Sequence, residues 1–290
     1  MLTRRDLLKS VPVGIGIAAG ARALLNAQDF QIGGAHIKLG VASYSFRNFS
    51  RAQAISMTLQ LGTHYMNVKP TEKQLPMDST PEQIDAAVKE FHAAGIIFDG
   101  CGNVDFKKDD EADIRHNFEF AKRAGFPVIV CAPSHVTLPK LEKFVKEYNI
   151  KIAVHNHGPE DKDFFPTPQS VLAVVKDLDP RMGCCVDIGH TARAGKDPVE
   201  SIAEVGPRLF DVHAKDLADP HNPDWKVARD SQVAVGEGKL PIKQVFAQLI
   251  KMKYRYAVDL EYEIHADDPL PGMQKSFAYM RGVLNELKGA

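Results

Sequence analysis

Four runs in the second half of the chain each end a hydrophobic stretch on side chains that can hold a metal or move a proton. They are His155-Asn156-His157-Gly158 after IKIAV, Asp187-Ile188-Gly189-His190 after GCCV, His213-Ala214-Lys215-Asp216 after LFDV, and Glu261-Tyr262-Glu263 after YAVDL. One residue from each, His155, Asp187, His213 and Glu261, gives a donor set of imidazoles and carboxylates. Such a set suits one divalent ion of the Mn2+, Zn2+, Co2+ or Fe2+ kind better than Mg2+ or Ca2+, because imidazole favours the borderline transition ions. A single histidine at a strand end is more often an ordinary hydrogen-bonded residue, and a single glutamate a surface carboxylate. Consecutive ends that all present His, Asp or Glu are hard to explain that way.

Strand alternation says which side chains share a face. His155 goes with His157, His213 with Lys215, and Asp259 with Glu261 and Glu263. The face that carries the donors is therefore also rich in acid–base groups.

These ends meet only if the elements behind them converge. From about His36 onward, short β-rich runs alternate with longer segments of helical period, the pattern of a parallel sheet with crossover helices. Strands are expected at 37–43, 64–69, 96–101, 126–131, 150–155, 182–187, 209–214 and 256–261. Eight of them close a (β/α)8 TIM barrel, in which the C-terminal strand ends gather at one mouth and carry the active site. Helices are expected at 81–94, 138–148, 168–178, 198–205 and 241–252, each with a proline in or just before its first turn. Proline is at ease there because its missing N–H would find no partner, and a Ser, Thr or Asp ahead of it can cap. No linker or charge block divides the chain, so residues 36–290 read as one domain. The longest irregular stretch, 217–240, is expected to cover the mouth as a substrate loop holding the only tryptophan, Trp225.

Composition narrows the function classes. The 290 residues are 44% hydrophobic and 25% charged, enough for a large core, and a net charge of −1 leaves no basic footprint for nucleic acid. Cys101, Cys131, Cys184 and Cys185 lack C-x-x-C spacing and are expected as buried thiols. Residues 1–27 read as an export signal: Arg4-Arg5 and Leu7-Leu8-Lys9 precede an apolar run from Val11 to Ala21 and small residues to Ala27. The twin arginines resemble a signal that exports folded proteins, so a periplasmic location is expected. That run is too short and glycine-rich to span a bilayer, and no later run reaches ~18 apolar residues, so no stable membrane span is expected in the mature protein.

V-D-I-G-H at 186–190, D-V-H-A-K-D at 211–216, V-G-E-G-K-L at 235–240 and D-L-E-Y-E at 259–263 together resemble the xylose-isomerase-like barrel superfamily of sugar isomerases and epimerases, from about Lys38 to Leu287. In that superfamily, strands five to eight commonly give Glu, Asp, His and Glu to one divalent metal. The resemblance implies that Asp187, His213 and Glu261 are the last three ligands and that His190 and Lys215 contact substrate. The first ligand departs from the pattern: His155-Asn156-His157 stands where many members have a Glu-Asn-His-like run. In the epimerases that glutamate is one of two opposed acid–base groups, and a metal-bound imidazole has no free lone pair on its ligating nitrogen.

The expected function is that of a metal-dependent isomerase or epimerase of a free sugar or sugar derivative. The metal would polarise a carbonyl and its neighbouring hydroxyl and stabilise the enediolate formed when a base takes the α-proton. Glu261 is the expected base and His157 or Lys215 the opposing acid; His190, Lys69, Glu237, Trp225 and Glu263 are the expected substrate contacts. No Gly-rich phosphate cradle or Arg cluster follows strands seven and eight, which points to unphosphorylated sugars. A lyase or hydratase acting on oxidised (3-keto) glycosides shares the first step and fits a single-base site. A non-catalytic exported sugar-binding barrel is the third reading. The nuclease branch would need more His and Asp ligands and a basic surface. The sequence is compatible with a homo-oligomer.

Overall fold

The computed structural model of the chain describes residues 29–161 and 164–289. The export-signal expectation, on residues 1–27, lies outside the described residues. The chain enters through β1 (Asp29–Ile32), turns at Gly33-Gly34 and pairs antiparallel with β2 (Ala35–Ala42). Parallel strands then follow: β3 (Tyr65–Val68), β4 (Ile97–Phe106), β5 (Val128–Pro133), β6 (Lys151–His155), β7 (Met182–Asp187) and β8 (Leu209–Ala214). After a short ribbon of β9 (Asp216–Leu217) and β10 (Gln232–Val233) comes β11 (Ala257–Leu260). Because β2 pairs with both β11 and β3, the sheet closes into the expected barrel.

Around it lie α1 (Arg51–Gln60), α2 (Pro81–Ala93), α3 (Glu111–Ala124), α4 (Leu141–Tyr148), α5 (Pro168–Val175), α6 (Ile188–Arg193), α7 (Pro198–Val205), α8 (Trp225–Asp230), α9 (Ile242–Lys251) and α10 (Leu270–Gly289). The proline-led starts behave as their chemistry dictates. Thr80 and Gln83 form a capping box at α2, Thr167 and Ser170 do the same at α5, and Asp197 accepts from the amides of Val199 and Glu200 at α7. At Thr137 the outcome differs. Its hydroxyl is engaged by the Phe106 carbonyl at 2.5 Å, so the segment begins as a 3-10 turn, Leu138–Lys140, before α4. No helix among the described residues is long and apolar enough to cross a membrane, and the four cysteines are buried and free.

The apolar core fills the ring between strands and helices, with Val41, Val154, Val186, Val212 and Leu260 buried on the outer faces of their strands. Alternation then turns His155, Asp187, His213 and Glu261 inward. Below them the barrel interior is polar on one side: a Cβ at Gly40 would meet Asp259 Oδ1 at 1.9 Å and Asp99 Oδ2 at 2.7 Å, so only glycine lets these carboxylates in.

The 217–240 segment is more ordered than the sequence suggests. Buried Asp216 accepts hydrogen bonds from the amides of Gly236 (2.8 Å), Gly238 (3.0 Å) and Leu240 (3.1 Å). A Cβ on Gly238 would lie 2.1 Å from Asp216 Oδ1, which explains the glycine there. Within the loop, Asp224 caps α8 through the amide of Lys226. The V-G-E-G-K-L run is thus a clasp around one carboxylate.

Candidate functional site

At the barrel mouth the four donor residues come from β6, the end of β7, β8 and the residue after β11. His155 Nε2 lies 3.0 Å from His213 Nδ1, 3.5 Å from Asp187 Oδ2 and 3.9 Å from Glu261 Oε2, and His213 Nδ1 is 3.2 Å from Glu261 Oε2. With metal–donor bonds of about 2.0–2.2 Å, tetrahedral donors stand roughly 3.3–3.6 Å apart. The spacing is that of ligands around one ion. Asp187 Oδ1 takes the His190 amide at 2.7 Å, and its buried Oδ2 faces His155 Nε2 at 3.5 Å and Lys215 Nζ at 3.2 Å, so that oxygen is turned to the centre. The residues therefore fit a divalent ion.

Charge agrees. Asp187, Glu261 and Glu263 face a single ammonium, Lys215, whose Nζ stands 3.2, 2.9 and 2.5 Å from them. Two of these three carboxylates, Asp187 and Glu261, belong to the donor set, where a divalent cation would be held by negative ligands. Cys185 could complete a different set with His155 and His213, but burial pushes its thiol well up and keeps it protonated.

Each titratable group is tuned by its neighbours. Burial raises the Glu261 carboxyl, yet Lys215 and His213 outweigh it and hold Glu261 well below the usual carboxylate range. Burial opposes the charge on Lys215 too, and Asp187, Glu261 and Glu263 overcome it, so the amine stays an ammonium. His157 and His190 go the other way. Burial first, then nearby positive groups, push both well below the ordinary imidazole value.

Around the donors a cavity of about 290 Å3 is lined by Tyr44, Lys69, Asn103, His157, His190 and Glu263 as well as His155 and Glu261. His190 Nε2 is 3.3 Å from Lys215 Nζ, and its Nδ1 meets Arg193, which Glu160 grips at 2.6 and 2.8 Å. His157 Nε2 accepts from the Asn103 amide at 2.9 Å, and its Nδ1 faces Asp161 at 3.5 Å. That arrangement puts the ring proton on Nδ1, away from the donors. Lys69 donates to the Asn103 carbonyl.

Trp225 and Glu237 are not brought to this cavity. Glu237 pairs with Lys275 on α10 at 3.0 Å, because the clasp around Asp216 turns it outward. Trp225 lies under Lys226 and Arg229 at the start of α8. Sequence reasoning passed over Tyr44, Asn103 and Asp161. Tyr44 is the second residue after β2, close to a strand-end position like those of the chosen residues. Asn103 lies beyond the expected end of the third strand, where the β4–β5 register shifts between Cys101 and Val104. Asn156 braces the site, donating to Thr191 Oγ1 at 3.1 Å and accepting the Asp187 amide at 3.0 Å.

Comparison with known proteins gives a consistent pattern. A sequence model of the xylose isomerase-like TIM barrel family matches residues 52–283. An uncharacterised protein of Methanocaldococcus jannaschii is 30% identical over 128 residues, 43% of this chain and 41% of that protein, so the match spans under half of this curated relative. Among solved structures, an IOLI protein with bound zinc aligns with a TM-score of 0.69 at 16% identity, over 86% of this chain and 98% of its own. The 3-keto-D-glucoside 4-epimerase YcjR of E. coli aligns at 0.63 with 18% identity, over 85% and 99%. The probable 3-DHS dehydratase AsbF of Bacillus anthracis aligns at 0.65 with 13% identity, over 84% and 98%. At these identities the three structures share the fold with this chain.

Proposed function

Because the chain belongs to the xylose isomerase-like TIM barrel family, we propose that it is a divalent-metal-dependent isomerase or epimerase of unphosphorylated sugars or sugar derivatives. The observation that carries this reading is the convergence of four donor atoms on one point, with Lys215 beside them. His155, Asp187, His213 and Glu261 would hold the ion. When bound, it would supply Lewis-acid polarisation of a carbonyl and the adjacent hydroxyl.

The chain's own groups do the rest. Glu261, kept ionised by the Lys215 ammonium beside it, is the base for the proton next to the carbonyl. Lys215, held as an ammonium, donates to the developing oxyanion and can return a proton. His157 accepts at Nε2 from Asn103, so it is better placed to orient a substrate hydroxyl than to give a proton there. His190, Lys69 and Glu263 line the same chamber and would fix the sugar's orientation. Export through a twin-arginine-type signal in residues 1–27 belongs to the same proposal; a reporter fused to residues 1–35 that stays in the cytoplasm would remove it.

The test is solvent-deuterium exchange into a panel of ketoses and 3-keto sugars by metal-loaded protein. Exchange with epimer or aldose–ketose formation is expected, and no exchange into any member would overturn the assignment. A second reading, elimination of the neighbouring oxygen substituent, is favoured by one observation. His155 stands where a second glutamate would serve as the opposed base, leaving Glu261 as the carboxylate base among the donors. Release of the substituent without epimer identifies that outcome. Proteins named for epimerisation and for dehydration share this fold, and both reactions can start with loss of a proton beside a carbonyl.

A further inference from the structure

Three cavities adjoin at the mouth and share Lys69 and Asn103 as walls. The innermost, about 290 Å3, holds the donor set. A middle one of about 280 Å3 passes His157 towards Lys107 and Asp161, and an outer one of about 360 Å3 ends over Met77 and Asn117. Small-molecule sites run from roughly 300 Å3 upwards. The inner chamber alone has room for one sugar ring, and each outer space is of comparable size.

The charge on this wall is spoken for. Lys108 Nζ pairs with Asp113 at 3.2 Å, Lys107 Nζ sits over the Phe164 ring at 4.6 Å, and Lys69 donates to the Asn103 carbonyl. Asp105 faces Lys69 and Asp161 faces Lys107, so a phosphate or carboxylate would meet carboxylates along the same wall. Pro70, Met77 and Val104 give the outer cavity an apolar floor, and Asn117 adds an amide. An apolar floor with a polar edge and paired charges fits the face of an uncharged ring that carries hydroxyls.

We propose that the outer cavity is a subsite for an uncharged second ring, so that the substrate is a neutral glycoside. Its reacting ring lies against the donor set, and the linked sugar or aglycone extends along Lys69 and Asn103 to Met77. This rests on the isomerase reading for the inner chamber, and it adds what the substrate carries beyond the reacting ring.

The experiment pairs each free ketose or 3-keto sugar with its 4-nitrophenyl glycoside and its neutral disaccharide. It follows deuterium exchange and calorimetric binding with metal-loaded wild type, Met77→Trp and Met77→Ala. The glycosides are expected to exceed the free sugars about ten- to a hundredfold in kcat/KM, the span one pocket contact can supply. Met77→Trp, which fills the cavity away from the donors, is expected to abolish that advantage while free-sugar exchange stays unchanged. Met77→Ala keeps the test alive if thermal unfolding shows the tryptophan variant misfolded, and it is expected to reduce the advantage several-fold. Equal kcat/KM for free sugars and glycosides, or an advantage retained in Met77→Trp or unchanged in Met77→Ala, overturns the subsite and leaves the isomerase reading standing. If nothing exchanges, the isomerase reading falls and binding decides. Glycoside binding weakened by the Met77 variants upholds the subsite, and its absence in wild type overturns it. A sugar phosphate preferred over the glycoside also overturns it.

Discussion

Nε2 of His155 and Nδ1 of His213 face one another at 3.0 Å inside the barrel mouth. Two imidazole nitrogens approach so closely only around a proton or a cation. Asp187 Oδ2 lies 3.5 Å from His155 Nε2 and Glu261 Oε2 lies 3.2 Å from His213 Nδ1, so two carboxylate oxygens stand beside the same pair of nitrogens, a donor set that favours the cation. Removing either imidazole should therefore act on the ion first. His155→Ala and His213→Ala are each expected to lower metal affinity at least about a hundredfold, measured by competition with a chromophoric chelator. If His155→Ala binds as tightly as wild type, the first ligand lies elsewhere.

The other nitrogen of His213 has its own partner. Asp211 Oδ2 stands 3.4 Å from Nε2, and Asn67 Nδ2 lies 3.4 Å from the same carboxylate oxygen. A carboxylate there keeps the proton on Nε2 and leaves the Nδ1 lone pair for a ligand, as outer partners of metal-binding histidines do. Asp211→Asn should weaken metal binding about 10- to 100-fold, with the stoichiometry of tight sites unchanged. The chelator competition reads this directly, and unchanged affinity would remove Asp211 from that role.

Lys215 makes opposite predictions for binding and turnover. Its ammonium lies 2.9 Å from Glu261 and 3.2 Å from Asp187, so it repels a divalent ion while it serves a developing oxyanion. Lys215→Met should bind metal more tightly than wild type, yet lose about 10²- to 10⁴-fold in kcat. The metal-free variant should also unfold at a lower temperature, because it buries carboxylates without their counter-ion. Metal affinity unchanged or weaker in the variant would contradict this reading of Lys215.

The aspartates below the site give a pH signature of stability. Burial, and the charge of Asp211, push the Asp99 carboxyl well above its ordinary value, and Asp259 is raised likewise by burial and by Asp99. The folded state then holds a proton that the unfolded chain releases. That stabilisation is fully present below the unfolded carboxyl pKa and is lost as pH rises through the elevated folded value. Asp99→Asn does not titrate, so its Tm relative to wild type should climb between pH 5 and pH 8. A difference constant with pH would mean that Asp99 is ionised in the fold throughout.

Much of this was readable in the amino-acid order because barrel strands advertise both their period and their ends. The alternation around His155, His213 and Glu261 placed those residues on one face, and Pro81, Pro168 and Pro198 marked helix starts where they are found. What was not readable depends on contacts distant in sequence. Glu237, in the irregular stretch 217–240, reads as a substrate contact until Asp216, twenty-one positions earlier, draws in the neighbouring amides and turns it to Lys275. Asn103 looks like a turn residue until the β4–β5 register shift brings it against His157. Asp99 sits in an apolar run, and only the missing side chain of Gly40 across the barrel makes room for it.

The proposed function stands on one divalent ion held by His155, Asp187, His213 and Glu261. The most direct measurement is titration of metal-free protein with Co2+, following visible absorption, in wild type and in Asp187→Asn. One tight site per chain is expected in wild type, with the intense bands of a low-coordinate mixed nitrogen and oxygen environment, and their loss in the variant. Absence of a tight site in wild type, or the same spectrum and stoichiometry in Asp187→Asn, would contradict it.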